Sequence, residues 1–486
     1  MATGVPKKRP VDAGSSSGHV ASLNGRVRLD YAGKRPEQDV LSAPAARFET
    51  LWQSEENRPA LNRLYYAENL GVLAALLQDR SVAGKVRLVY IDPPFATQSV
   101  FHSRQLNHAY TDSLTGPAFV EFLRERLVLL RELLAADGSI YLHLDEKMVF
   151  EMKLVMDEVF GAGNYRNCIT RKKCNPKNYT RRQYGNVADY ILFYTRSDDY
   201  VWNRPVEPWT PERADKEYQY TDAETGRRFK KVPVHAPGIR RGETGKQWRG
   251  KLPPPGKHWQ FKPATLDEFD AKGEIYWSPT GNPRRIIYLD DSDGVGIQDI
   301  WLDMRDAHNQ NVRITGYPTE KPPELLRRFI EASSNPGDLV LDCFSGSGTT
   351  LAEADNLDRR WIGADNSSEA ICTTLRRFAE GIQPMGDFVN RLANENRDEA
   401  SPAPTEPSLF DQIEVVHDAK REVYVHRPIR AFVLFQEVGV QPLPELWRQY
   451  VGASTVNQQP EPTATADACR VASRSPSREE DERHAG

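Results

Sequence analysis

Cysteine is scarce in this chain and is never grouped as metal or redox sites require. Cys168, Cys174, Cys343, Cys372 and Cys469 are the five cysteines among 486 residues, with no Cys-x-x-Cys pair and no histidine cluster nearby. A zinc site and a disulfide framework are therefore both disfavoured, no metal is expected, and a reducing cytoplasm fits. Long apolar runs are also missing, so no membrane span is expected. Lys7, Lys8 and Arg9 sit near the start without an apolar stretch after them, which excludes a secretory signal and reads as a solvated head. Gly-x-x-x-x-Gly-Lys-Ser/Thr does not occur, which argues against an ATP-binding P-loop, a helicase or an ATP-driven nuclease. Internal repeats are absent as well.

Charge of one sign is not lacking so much as localised. The formal net charge is −4, yet residues 161–260 hold 21 Lys+Arg against 10 Asp+Glu, a local net of +11. A slightly acidic protein with one strongly basic segment points either to a local polyanion site or to a solvated lysine-rich face.

Periodicity divides the chain. Residues 1–25 are rich in Ser, Gly and Pro and read as a disordered head. From Leu61 to Tyr194, helical spacing alternates with short apolar runs, among them Val86–Ile91, Ser139–Leu144 and Tyr190–Tyr194. Helices are expected from Phe119 to Leu134 and from Met148 to Phe160. From 201 to 312 the pattern breaks, and Trp202, Trp209, Trp248, Trp259 and Trp277 interleave with prolines and basic residues. Alternation resumes from 313 to 385. Residues 386–486 form an extension rich in Pro, Glu and Ser, with one apolar island near 423–435. The strand–helix alternation argues for an α/β sheet.

Two turns carry chemistry. Asp342-Cys343-Phe344-Ser345-Gly346-Ser347-Gly348-Thr349-Thr350 joins a strand to a helix. Its glycines would let backbone N–H groups approach a ligand at a helix N-terminus. Asp365 ends the next strand, where a carboxylate can accept from both hydroxyls of a ribose or simply cap the following helix. Earlier, the strand Val86–Ile91 delivers Asp92-Pro93-Pro94-Phe95. The prolines remove two donors and leave carbonyl acceptors, Asp92 adds a carboxylate, and Phe95 adds a flat apolar face. Acceptors suit an aromatic amine, whose lone pair is delocalised into its ring. Gripping its hydrogens favours a tetrahedral nitrogen aimed at an electrophilic carbon. A base reaching such a turn would have to leave its stack.

Together these residues resemble the permuted β group of DNA amino-methyltransferases, over roughly 60–200 and 313–380. Asp92-Pro93-Pro94-Phe95 matches the catalytic tetrapeptide in the aspartate form typical of adenine N6 enzymes; a serine form is typical of cytosine N4 enzymes. The resemblance implies a Rossmann-like α/β methyltransferase sheet, circularly permuted, with an irregular inserted target-recognition domain. Residues 26–200 would be the catalytic half, 201–312 the recognition region and 313–385 the cofactor half. It further implies S-adenosylmethionine as methyl donor, held by Asp342, Phe344, Gly346, Gly348, Thr349 and Asp365. Thr319 and Lys321 belong to Gly316-Tyr317-Pro318-Thr319-Glu320-Lys321-Pro322, which resembles the segment closing over the cofactor, with Glu320 where glutamine is common. Asp137–Asp145 resembles a strand beside the active site. Ala67-Glu68-Asn69 replaces the usual Gly-Asp-Asn, with Glu68 in reach of the donor's adenine, and Ala96-Thr97-Gln98 replaces Asn-Thr-Gly. Double-stranded DNA is the implied substrate, with Arg240, Arg241, Lys246, Arg249 and Lys251 as candidate contacts. A homodimer, a separate restriction subunit and a non-enzymatic recognition subunit stay open. A cytosine C5 enzyme is disfavoured, because no cysteine follows a proline.

Overall fold

The computed structural model describes residues 27–55, 61–94, 100–102, 108–111, 116–175, 182–306, 315–382, 428–429 and 431–451. The expected disordered head, Phe95 and most of the C-terminal extension lie outside the described residues.

Ten strands build one sheet. In chain order they are β1 (Phe48–Gln53), β2 (Asn62–Tyr66), β3 (Val86–Ile91), β4 (Leu134–Leu144), β5 (Tyr165–Lys172), β6 (Ala188–Thr195), β7 (Ile300–Trp301), β8 (Leu339–Asp342), β9 (Arg360–Asp365) and β10 (Phe432–Glu437). Their spatial order is β1-β10-β2-β9-β8-β3-β4-β6-β5-β7. Six neighbours from β10 through β4 are parallel, β6 runs against β4 and β5, and β1 runs against β10. The late strands β8 and β9 lie between the early strands β2 and β3. The two halves of the sequence are therefore one sheet, interleaved as a circular permutation would interleave them.

Both faces of this sheet are covered, which is why its strands read as unbroken apolar runs. Val86, Val89 and Ile91 of β3 pack with Leu73, Leu123, Leu127 and Met152 on one face. Those side chains come from helices Asn69–Gln78, Gly116–Leu133 and Val149–Met156. Leu88 and Tyr90 pack on the other face with Leu326, Phe329, Leu351 and Leu375, from helices Pro323–Ser333, Thr349–Asn356 and Ser368–Glu380.

Element boundaries shift in informative places. The helix expected to run to Phe160 is α-helical over Val149–Met156 and continues as a π turn over Asp157–Gly161. β4 begins at Leu134, upstream of Asp137-Gly138, and its pairing with β3 shifts register between Val86 and Leu88. The apolar island of the C-terminal extension supplies β10, which joins the main sheet between β1 and β2.

The basic insert is more regular than its aperiodic sequence suggests. Tyr220–Thr221, Arg228–Pro233, Pro283–Tyr288 and Ile275–Trp277 form a four-stranded antiparallel sheet. Strands of two to six residues are too short to register as alternation. Its tryptophans serve packing. Trp248 and Trp259 are buried with Val234, Leu266 and Ile275, and Trp277 stacks on Trp248 with ring centroids 5.1 Å apart.

Candidate active site

Parallel strands end at one edge, and here acids stand at five consecutive strand ends. Glu68 follows β2, Asp365 ends β9, Asp342 ends β8, Asp92 follows β3 and Asp145 follows β4. The carboxyl edge of an open α/β sheet is where ligands bind. Burial raises Asp342 to about 7, and the charges of Asp92 and Asp365 add to the shift. Burial likewise raises Asp365 to about 6, with Glu68 contributing. An edge where burial and neighbouring carboxylates raise two acids is suited to a cationic ligand.

Asp92 leaves β3 where Pro93 and Pro94 stop the ladder. Its Oδ2 accepts from Lys321 Nζ at 2.5 Å. Its Oδ1 is buried and carries no hydrogen bond among the described residues. Lys321 Nζ also donates to the Thr319 carbonyl at 3.2 Å, and Thr319 holds a positive φ of 57°. The structure thus brings Lys321, expected beside the cofactor, onto Asp92, the expected catalytic acid.

The glycine-rich turn is shaped from inside. Asp342 Oδ1 accepts from Phe344 N at 3.0 Å and Oδ2 from Thr350 Oγ1 at 2.6 Å. Its carboxylate is therefore engaged in holding the turn. Asp365 Oδ2 accepts from Gly346 N at 2.9 Å, and Oδ1 accepts from Ser367 N at 2.9 Å. Each oxygen keeps a second lone pair for a hydroxyl donor. Gly348 holds φ 73°, and a Cβ there would lie 2.7 Å from Thr374. Thr349 is buried, its hydroxyl 3.2 Å from that of Ser347. Phe344 is half-buried near the ring of Phe122.

Three supports were not anticipated from the sequence. Arg126, buried on the helix Gly116–Leu133, donates to Glu68 Oε1 and, at 2.5 Å, to Asn69 Oδ1. Asn69 in turn donates to the Cys343 carbonyl at 2.8 Å. Glu68 also caps the helix Asn69–Gln78, so its carboxylate is committed to the frame of the site. Arg377 donates to Glu320 Oε1 and, at 2.7 Å, to the Ser347 carbonyl. Glu320 Oε2 accepts from Thr315 N at 2.8 Å and Thr315 Oγ1 at 2.7 Å. The glutamate standing in place of the common glutamine is thus matched by a buried arginine. The third support is His143 with Asp189, fully buried beside Tyr90. A signal existed in each case: a charged or polar residue within the apolar spacing of a helix or strand.

The candidate DNA contacts divide. Arg240 and Arg241 are exposed and have no ion-pair partner among the described residues. Lys246 pairs with Glu243, and Arg249 pairs with Asp267 at 3.3 Å and with Asp270. Lys251 is half-buried beside the Trp248 turn.

The acid edge gives a pH prediction. Asp365 is raised in the folded protein to about 6 from 3.8, so its stabilising contribution is complete below about 3.8 and is lost as pH rises through about 6. A ligand whose hydroxyls donate to Asp365 favours the ionised form. Its affinity is expected to rise with pH through about 6 and then level off, with a proton released on binding near pH 6. Calorimetric titration with the methyl donor in two buffers of different ionisation enthalpy reads this directly. A pH-independent affinity between 5 and 7.5 would exclude an Asp365 contact.

A family model described as DNA methylase matches residues 86–376, from β3 through the insert to the helix after β9. The chain is 44% identical over 405 residues to the Type II methyltransferase M.EcaI of Enterobacter cloacae, covering 81% of this chain and 88% of that one. It is 26% identical over 407 residues to the Type III restriction-modification enzyme StyLTI Mod subunit of Salmonella typhimurium, covering 73% of this chain and 59% of the Mod subunit. A stretch of 62 residues is 56% identical to the DNA adenine methyltransferase YhdJ of Escherichia coli K12, covering 13% of this chain and 21% of that one. The chain belongs to the DNA methylase family.

Proposed function

We propose that this DNA methyltransferase acts on the N6 amino group of adenine in double-stranded DNA, with S-adenosylmethionine as donor. The observation that carries the amine assignment is Asp92 Oδ1, a buried acceptor with no hydrogen bond among the described residues, at the carboxyl edge of β3. The fit of the donor is supported by Asp342 and Asp365, both raised by burial and by neighbouring carboxylates, an edge that suits a cation and its hydroxyls. Gly346 holds φ 50°, and a Cβ there would come to 3.5 Å from the Tyr317 ring, so the Gly316–Lys321 segment lies over the glycine turn and with it borders the proposed donor site. Within it the donor would be held by the backbone of Phe344, Gly346, Gly348 and Thr349 and by Asp365. When bound, it supplies a methyl group on a positively charged sulfur.

The chain's own residues do the rest. Lys321 occupies Oδ2 of Asp92 and leaves Oδ1 facing the amine. Oδ1 and the carbonyls of the proline turn accept the two amine hydrogens, and the prolines present no donor that would compete for the nitrogen lone pair. This sharpens the nucleophile without deprotonating it. As the methyl carbon passed from sulfur, which would keep the electron pair of the broken bond, to nitrogen, the nitrogen would shed one proton, for which Asp92 Oδ1 is the proposed acceptor. Phe95 is assigned the stacking face for the flipped base on its sequence position. Arg240 and Arg241 are the best-placed phosphate contacts, because no acid of the insert engages them.

Adenine is favoured over cytosine by the aspartate form of the turn and by the likeness to a relative named as a DNA adenine methyltransferase. The likeness to a Mod subunit supports a restriction-modification setting in a prokaryotic cytoplasm, acting alone or with a separate nuclease subunit. The test is transfer of labelled methyl from S-adenosylmethionine to unmethylated duplex DNA, followed by digestion to nucleosides. Label is expected in N6-methyladenosine. Label in N4-methylcytosine would replace the adenine assignment, and absence of label with donor binding intact would remove the activity.

A further inference from the structure

Four fully buried polar side chains cross the sheet beside Asp92. Tyr90, His143, Asp189 and Arg171 are each 0–2% exposed, on β3, β4, β6 and β5. Tyr90 Oη lies 2.9 Å from His143 Nδ1, and His143 Nε2 lies 3.3 Å from Asp189 Oδ2. Asp189 also accepts from Arg171 Nη1 at 3.4 Å and from Lys173 Nζ at 2.8 Å. Arg171 then donates to the Met304 carbonyl at 2.5 Å and to Asp306.

A carboxylate only accepts, so the His143 nitrogen facing Asp189 carries the hydrogen. Nδ1 of the neutral ring then accepts from the Tyr90 hydroxyl. Burial, reinforced by Lys321, lowers the imidazole below its usual range, in keeping with that neutral form. Burial alone would raise Asp189, but the hydrogen bond from His143, with the charges of Lys321 and Lys173, outweighs it and holds the carboxyl low.

Apolar residues of similar volume would fill this space at lower cost. The ends of the chain of contacts suggest why it is polar. One end is Tyr90, two residues before Asp92. The other is the segment 299–306, which returns from the insert and is pinned to β5 by Thr170 N to Asp299 O at 2.8 Å and Asp306 N to Lys173 O at 2.9 Å.

We propose that Tyr90, His143, Asp189 and Arg171 are positioning residues that set Asp92 against the chain returning from the recognition insert. The proposal rests on the assignment of Asp92 as amine acceptor. Small errors of placement at a reacting group cost rate far more than binding.

The test is a single-turnover measurement with saturating donor and DNA, alongside binding constants and thermal melting. Tyr90→Phe removes one oxygen and keeps its ring stacked 5.5 Å from Phe329. It is expected to slow transfer by about 10- to 100-fold, with donor and DNA affinities and melting unchanged. His143→Asn, which keeps an acceptor near Nδ1, should retain more rate than His143→Leu. If His143→Leu fails to fold, Tyr90→Phe and Asp189→Asn decide. Wild-type transfer rates in both would overturn the proposal, as would losses that fall equally on binding and melting. Asp92→Ala is run in parallel: if it transfers methyl normally, the underlying assignment fails; if it is inactive while Tyr90→Phe is normal, only the positioning role fails.

Discussion

Asp92→Ala is expected to lower methyl transfer by at least about 10²–10³-fold, the loss seen when one preorganised polar group is removed from a reacting centre. Two effects act together. The amine loses a buried acceptor that has no hydrogen bond among the described residues. Lys321, 6% exposed in its side chain, loses the carboxylate 2.5 Å away and leaves a buried ammonium without that counter-charge beside the proposed amine site. Asp92→Asn keeps an acceptor oxygen but loses the charge facing Lys321, so an intermediate rate is expected. Donor affinity should change little, because Asp365 and the glycine turn are untouched. Rates are to be read in single turnovers, where product release cannot mask the loss. A wild-type rate in Asp92→Ala would take Asp92 out of the chemistry.

Arg377→Ala is expected to destabilise the fold by about 3–5 kcal/mol, the cost of leaving a buried charge without its partner. Arg377 and Glu320 are each 4% exposed in their side chains, and Arg377 also holds the Ser347 carbonyl. The argument makes a sharper demand on the double variant. Glu320→Gln keeps an oxygen for the Thr315 hydrogen bonds and removes the charge, so Glu320→Gln with Arg377→Ala should recover much of the loss. Urea unfolding of the two single variants and the double gives the coupling energy. Strict additivity would mean that the arginine is not the counter-ion of the unusual glutamate.

Much of the catalytic edge was legible from local chemistry. Apolar runs ending in Pro93-Pro94, in a glycine turn and in Asp365 mark strand ends directly, because a strand buried on both faces has to be apolar until it leaves the sheet. The permutation was implied by the resemblance to the β group, in which the catalytic half precedes the cofactor half. What sequence could not supply was pairing between distant residues. Arg126 and Arg377 sit on helix faces that periodicity marks as core, and only the fold shows Glu68 and Glu320 opposite them. Asp342 looked like a ligand contact, and its carboxylate proves to be engaged by Phe344 N and Thr350. In the insert, short strands and buried tryptophans left no period to read. Charge count alone could not separate Arg240, which pairs with no acid among the described residues, from Arg249, which Asp267 and Asp270 hold.

The central claim is that this chain methylates adenine N6 through Asp92. Modification-sensitive sequencing of DNA from cells expressing the wild-type chain, beside cells expressing Asp92→Ala, tests it most directly. The account predicts N6-methyladenine at a defined sequence in the first and none in the second. N4-methylcytosine instead, or equal modification in both, would contradict it.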